Sequence, residues 1–210
     1  MGDENVIVLW SILGIVIAYL IGSISTSTIV VRLVSGKDIR HHGSGNAGAT
    51  NTLRMLGTKW GIAVLIVDAV KGMIALWVVY GLAHANPVAL ALSAIAVVVG
   101  HNWPIFFGFR GGKGIATTIG VLLWMAPLMT IIAGILCLIV IALTRYVSLG
   151  SLILTILIPI LLGVFTPSHE SALWASIVLA LLSIYRHREN VVRLLSGKER
   201  KLFDKTSDHF

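Results

Sequence analysis

Long apolar runs, spaced by short segments that hold almost all the basic residues, constrain this chain more than any other feature. A membrane-spanning helix needs about 20 predominantly apolar residues. Runs of this kind cover 6–34, 60–82, 87–108, 128–144, 147–165 and 170–186. The stretch 114–126 is apolar but short, and Pro127 after it favours a break over a continuous helix. Only 12% of the 210 residues are charged, against roughly 25% in soluble domains. The fold class expected is therefore all-α, a polytopic membrane helix bundle forming one domain over 1–210. No segment outside the runs is long enough to bury a core of its own.

The basic residues set the orientation, because cytoplasmic loops carry the excess of Lys and Arg. Counting 114–126 as its own short span gives seven spans. With the N-terminus outside, the outer pieces are 1–5, 83–86, Ala126-Pro127 and 166–169, which hold no Lys or Arg. The inner pieces hold 15 of the 16 basic residues, all but Lys71. Six spans would scatter the same charges over both faces. The expectation is seven spans, N-terminus out and C-terminus cytoplasmic. Asp3 and Glu4 stand where a signal peptide would be positive, so the first run is expected to be retained. The basic tail 193–210 is expected at the inner membrane surface, drawn to anionic lipid. This placement does not suit a nucleic-acid partner. The lone cysteine, Cys137, forms no internal disulfide.

Lys71 follows Asp68 by three residues, so a helix puts both on one face. Charges at that depth face the bundle interior and pair. Two roles stay open for them, an ion pair fixing helix packing and a place in a substrate path.

All the chemically rich segments fall on the inner side. The first contains Gly43-Ser44-Gly45-Asn46-Ala47-Gly48-Ala49-Thr50-Asn51, built only from glycine, alanine and small hydroxyl or amide residues, followed by Arg54. Glycine permits tight turns and close approach, and successive amides form an anion-binding concavity. Arg54 could grip a phosphate bidentately. The second is Gly100-His101-Asn102-Trp103-Pro104 with Arg110-Gly111-Gly112-Lys113-Gly114 and Thr117. A helix starting at Ile115 would aim its free amides and positive dipole end at an anion, and Lys113 would add a full charge. A nucleotide-binding P-loop does not fit: Phe107 replaces its first glycine, and Gly114 stands where Ser or Thr is required. The third has Ser148-Leu149-Gly150-Ser151 and Arg186-His187-Arg188-Glu189-Asn190, with His187 and Asn190 expected on one helical face. Glu199 is placed to tie the basic tail back onto the domain. His41 and His42 lack metal-ligand spacing, and neither a metal nor a cofactor is expected.

In this order the three clusters resemble the motifs of the bacterial acyl-phosphate-dependent glycerol-3-phosphate acyltransferase family (PlsY). The resemblance runs from Gly22-Ser23 to Glu199-Arg200-Lys201. It is carried by GSGNAGATNTLR at 43–54, DAVKG at 68–72, GHNWPIFFGFRGGKGIAT at 100–117 and RHRENVVRLLSGKE at 186–199. Ser25 and Ala47 stand where the family often has proline. The resemblance implies an inner-membrane enzyme that moves a fatty acyl group from acyl phosphate to the 1-hydroxyl of glycerol 3-phosphate, releasing lysophosphatidic acid and phosphate. It implies catalytic roles for Ser44, Arg54, Lys113, His187 and Asn190. Substrate contacts are expected from Gly43, Gly45, Asn46, Thr50, Asn51, Arg54, Gly111, Gly112, Lys113, Gly114 and Thr117. Glu199 matches an acid serving structural integrity. The resemblance also favours a substrate phosphate over His187 as the proton acceptor, with no covalent acyl-enzyme.

The residues themselves argue against other acyl-transfer chemistries. No histidine has an aspartate five residues later, and Gly43-Ser44-Gly45 is not a Gly-x-Ser-x-Gly elbow. A carrier of phosphorylated metabolites would use similar loops, but its site belongs near the midplane, not at one face. A membrane scaffold leaves two glycine-rich loops without a purpose. Acyl chain preference, binding order and oligomeric state, a monomer included, are not written in the sequence.

Overall fold

The computed structural model describes residues 3–202, and among them there are α-helices, short 3-10 turns and no strand. The α-helices are α1 (Asp3–Gly22), α2 (Thr26–Ser35), α3 (Ala49–Leu56), α4 (Thr58–Leu82), α5 (Pro87–Asn102), α6 (Ile115–Met125), α7 (Pro127–Thr144), α8 (Val147–Phe165), α9 (Glu170–Arg186) and α10 (Arg188–Leu195). Five stretches are long and apolar enough to cross a membrane: Asn5–Ser35, Thr58–Leu82, Pro87–Phe107, Pro127–Thr144 and Val147–Phe165. α6 and α9, with 11 and 17 residues, are shorter. Large apolar side chains such as Ile66, Trp77, Leu138 and Val164 point outward from these helices, the pattern of a surface solvated by lipid.

The first apolar run departs from the expected continuous helix over 6–34. It breaks at Ser23-Ile24-Ser25 into α1 and α2. The cause is polar: the carbonyl of Ile24 accepts from the Lys71 ammonium at 2.9 Å, and the Ser25 and Thr28 hydroxyls bond each other at 2.8 Å. The break expected before Pro127 is present, since Ala126 leaves helical geometry and Pro127 opens α7 where its missing N–H costs nothing.

Lipid gives apolar helices little reason to associate, so small residues that let backbones touch decide the packing. α1 lies against α5 and α4 against α6. A side-chain carbon on Gly22 would collide with the Val97 carbonyl, and one on Gly120 with the Ala69 carbonyl. The apolar core is shared by α1, α4, α5, α6, α7, α8 and α9, with Leu76, Val97, Leu122, Ile158 and Leu179 fully buried. A small second cluster of Val31, Ile39 and Ala47, with Met55 and Leu56, anchors the segment between α2 and α4. No apolar run covers this segment in the sequence, yet α3 starts inside the glycine-bearing run at Ala49. The C-terminal end of α5, the start of α6, the α7–α8 turn and the α9–α10 junction come together at one end of the bundle.

Candidate active site

At that end lies a polar cavity of ≈ 610 Å³. Its wall includes Ser44, Arg54, Lys113, His187 and Asn190, the five residues expected to act on substrate. Segments more than 130 positions apart in the chain therefore converge on one space. Gly43, Gly45, Asn46, Thr50, Asn51, Gly111 and Gly114 also line it. Gly112 and Thr117 are not among the lining residues. Thr117 is fully buried, and its carbonyl faces the bare Cα of Gly72 in α4.

The first loop is held by its own amide side chain. Asn51 accepts from the Ser44 N–H at 3.0 Å and donates to the carbonyls of His42 at 3.0 Å and Ile39 at 3.3 Å. Gly43 and Gly45 take positive φ, at 62° and 69°, which the tight turn requires. Asn51 thus shapes the cradle. The loop is also tied to the second one: Arg40, paired with Asp38 at 2.5 Å, donates to the Phe107 carbonyl at 2.8 Å. The Arg40 bond holds the Asp38 carboxyl well below the usual range.

The second loop differs from a simple amide cradle. The N–H groups of Gly111 and Gly112 donate to the carbonyls of Asn102 and His101, at 3.2 and 3.1 Å. Their own carbonyls accept from Arg186, whose Nη2 reaches Gly112 at 2.6 Å and Gly111 at 3.3 Å. The same guanidinium stacks 5.3 Å from the centre of the Trp103 ring. Both faces of the diglycine are therefore committed to protein. Side-chain carbons there would strike the His101 carbonyl and the His101 ring, so these glycines serve close packing. What the loop offers the cavity is the Lys113 side chain and the amide-rich start of α6, which begins after Gly114.

Lys113 donates through Nζ to Asn190 Oδ1. Asn190 Nδ2 donates to Glu199 Oε1 at 2.6 Å, which also accepts from Ser148 at 2.8 Å. Glu199 Oε2 accepts from Arg193 Nε at 2.9 Å. Glu199 does tie back the tail, and it does so by gripping the site. Burial favours its protonation, but the bonds from Asn190, Ser148 and Arg193 together lower its pKa. Burial pushes the Lys113 ammonium down to about 8; the Glu199 charge opposes this, and Arg193 and Arg186 add to it. The tail continues past Arg54, whose Nη2 lies 3.4 Å from the carbonyls of Arg200 and Lys201, and the Leu202 N–H donates to the Arg145 carbonyl at 2.9 Å. The basic tail up to 202 is thus docked on the site end; its remainder lies outside the described residues.

His187 does not share a continuous helix with Asn190, as the three-residue spacing suggested. It ends α9 and caps α10. Its Nδ1 lies 2.9 Å from the Ser183 carbonyl. A carbonyl can only accept, so Nδ1 carries the proton and Nε2 is an acceptor. Burial, followed by the Lys113 charge, lowers the His187 pKa to about 4. Ser148 and Ser151 also line the cavity. The sequence placed both in the third inner-side cluster without giving either a specific role.

The Asp68–Lys71 pair forms as its spacing predicts, at 2.7 Å. Thr26 donates to Asp68 Oδ1 at 2.8 Å. Asp68 and His101 reach the cavity wall from α4 and α5.

This arrangement, with cations and a neutral imidazole around a roomy polar cavity, suits an anionic ligand. A family model described as glycerol-3-phosphate acyltransferase matches residues 12–197. The glycerol-3-phosphate acyltransferase of Halalkalibacterium halodurans is 48% identical over 189 residues, covering 88% of this chain and 92% of the relative. That of Shouchella clausii is 45% identical over 192 residues, covering 90% and 94%. The crystal structure of PlsY, an integral membrane glycerol 3-phosphate acyltransferase, in its glycerol 3-phosphate form superposes with a TM-score of 0.84 at 39% identity, over 91% of this chain and 94% of that one. Its lysophosphatidic acid form gives 0.80 at 38% identity, with the same coverage. With the site's geometry and the match spanning most of its length, the chain belongs to the glycerol-3-phosphate acyltransferase family.

Proposed function

We propose that this protein transfers a fatty acyl group from acyl phosphate to the 1-hydroxyl of glycerol 3-phosphate, in a bacterial inner membrane, as one domain. Seven spans with the N-terminus outside put the cavity at the cytoplasmic face. The supporting feature is charge: the basic residues gather at the cavity end, and the opposite turns 83–86 and 166–169 have none.

The observation that carries the reading is the single cavity shared by Arg54, Lys113, His187 and Asn190. Acyl phosphate is a mixed anhydride, so its phosphate already leaves well. The glycerol hydroxyl oxygen bonds to the acyl carbon, the carbon–oxygen bond to phosphate breaks, and the hydroxyl proton passes to a phosphate oxygen. A phosphate with a second pKa near ~6 can accept it. Arg54 and Lys113 hold the anions and stabilise developing charge, and alignment of the two reactants supplies much of the rate. Neutral His187 offers Nε2 to the glycerol hydroxyl and orients it. Asn190 steers Lys113. Ser44 contributes through the first loop as a polar contact, without becoming acylated.

Purified protein given acyl phosphate and glycerol 3-phosphate should release inorganic phosphate only when both are present. Equal turnover with acyl-CoA in place of acyl phosphate would overturn the donor assignment.

A further inference from the structure

The cavity has a deep wall that the reading above leaves idle. Lys71 Nζ has three hydrogens and three acceptors around it: Asp68 Oδ1 at 2.7 Å, the Ile24 carbonyl at 2.9 Å and His101 Nδ1 at 3.0 Å. An ammonium only donates, so His101 Nδ1 must accept and the ring proton sits on Nε2. The ring is 6% exposed, and its residue lines the cavity. Among the described residues, Nε2 makes no hydrogen bond. An N–H donor fixed in tautomer by a buried ion pair, without a protein acceptor and on a residue that lines the cavity, is placed to donate to whatever the cavity binds.

The surroundings say which substrate does. A side-chain carbon on Gly112 would run into His101 Nε2 and lie 2.7 Å from the Ala47 carbonyl. The N–H edge therefore stands at the seam between the two glycine-bearing loops. Asp68, whose Oδ1 lies 3.7 Å from His101 Nδ1, and Leu65 also line the cavity, and both belong to α4. Asp68 is ten residues into that helix, roughly 15 Å along its axis. Leu65 is also 43% exposed, on the outward apolar face with Ile62 and Ile66. On this side the cavity meets the lipid-facing surface. Glycerol 3-phosphate is small and water-soluble and enters from the loops. Acyl phosphate is an amphiphile whose headgroup must sit where lipid meets cavity.

We propose that His101 is a further substrate-contacting residue, held by Lys71 and Asp68 so that its Nε2–H donates to an oxygen of the acyl phosphate headgroup. The inference rests on the acyl-phosphate reading and gives the buried pair its purpose.

Two isosteric changes separate this from a purely structural role. His101→Gln keeps a donor near the Nε2 position and loses the acceptor for Lys71. His101→Asn keeps the acceptor near Nδ1 and loses the donor. With both variants matched to wild type in thermal stability, His101→Asn should lose about tenfold or more in kcat/KM for acyl phosphate. Its KM for glycerol 3-phosphate should stay within about twofold, and His101→Gln should retain the larger part of the activity. If His101→Asn equals or exceeds His101→Gln, including when both match wild type, the proposal is overturned. If His101→Asn does not fold, wild type decides. In ¹⁵N-histidine-labelled protein, a non-hydrolysable acyl phosphonate should move the His101 Nε2 resonance, assigned with His101→Gln, and inorganic phosphate at the same concentration should not. An unmoved resonance overturns the proposal, as does an equal shift with inorganic phosphate. Wild type that fails to use acyl phosphate at all would instead sink the donor assignment itself.

Discussion

Asn190 stands between Lys113 and Glu199, accepting from the ammonium with Oδ1 and donating to the carboxylate with Nδ2. An amide with both ends engaged cannot flip without breaking two charge-assisted bonds. It transmits the position of the tail's only described acid to the cation of the glycine loop, 77 residues away from Asn190 in the chain. If Lys113 holds glycerol 3-phosphate as proposed, its binding should depend on the tail being docked, although the tail's carboxylate carries the wrong charge to touch a phosphate.

The charge on Lys113 should set the alkaline limb of activity. Burial lowers its pKa to about 8, so the cationic form is lost as pH rises through that value. In the free enzyme kcat/KM for glycerol 3-phosphate should fall with an apparent pKa near 8, and a bound dianion should raise it. Lys113→Arg should keep part of the activity and move this limb out of the accessible range, since guanidinium stays protonated. A limb unchanged in Lys113→Arg would assign it to another group.

His187 should not produce an acid limb near the ordinary histidine value. Its pKa is lowered to about 4, so it is neutral across the working range and a weak base. His187→Gln retains an acceptor and should keep kcat within about tenfold, the cost of one neutral hydrogen bond. A loss of about 10³ would fit a general base instead. The pH profile of kcat/KM, compared between wild type and His187→Gln, separates the two.

Glu199 should matter to stability first and to rate second. Its carboxylate accepts from Ser148, Asn190 and Arg193. Glu199→Ala strands these donors and should cost about 1–3 kcal/mol, the scale for hydrogen-bond donors left without an acceptor. Glu199→Gln keeps the shape and should cost less. Because its pKa is lowered from the ordinary 4.5, the unfolded chain binds the proton more readily. The carboxylate's contribution is then complete above about 4.5 and disappears as pH falls through the folded-state value. Thermal unfolding in detergent between pH 3 and 7 should show wild type and Glu199→Gln converging at the acid end.

Hydropathy and basic residues made the bundle legible, and the glycine loops with His187 and Asn190 marked residues that line the cavity. What escaped the sequence was which atoms the loops spend on themselves. Gly111-Gly112 reads as an anion cradle because glycine amides suit one, yet the carbonyls of His101 and Asn102 take those amides. Asn51 reads as a substrate contact; it lines the cavity and its side chain also closes its own loop. The α1–α2 break was hidden because Ser23-Ile24-Ser25 barely interrupts the hydropathy, while the cause, Lys71, comes 47 positions later. Local composition shows which residues are polar; which partner each one finds is a long-range fact.

Arg186 provides the sharpest test of the glycine loop as a mount for Lys113. Its fork holds both glycine carbonyls and stacks on Trp103, and Trp103 is held in turn by Tyr19, whose hydroxyl donates to its carbonyl at 2.9 Å. Lysine at 186 preserves the charge but offers neither a planar fork nor the same stacking. If Arg186 acts by orienting the loop, Arg186→Lys should lower kcat/KM for glycerol 3-phosphate by about tenfold, as expected for losing one or two hydrogen bonds to a charged group. Expression and salt dependence should stay near wild type, because the net charge is unchanged. If Arg186 instead holds a substrate phosphate as a simple cation, Arg186→Lys should be nearly silent and Arg186→Gln should raise KM with a reduced salt dependence. Steady-state kinetics of the two variants at two ionic strengths distinguish the outcomes.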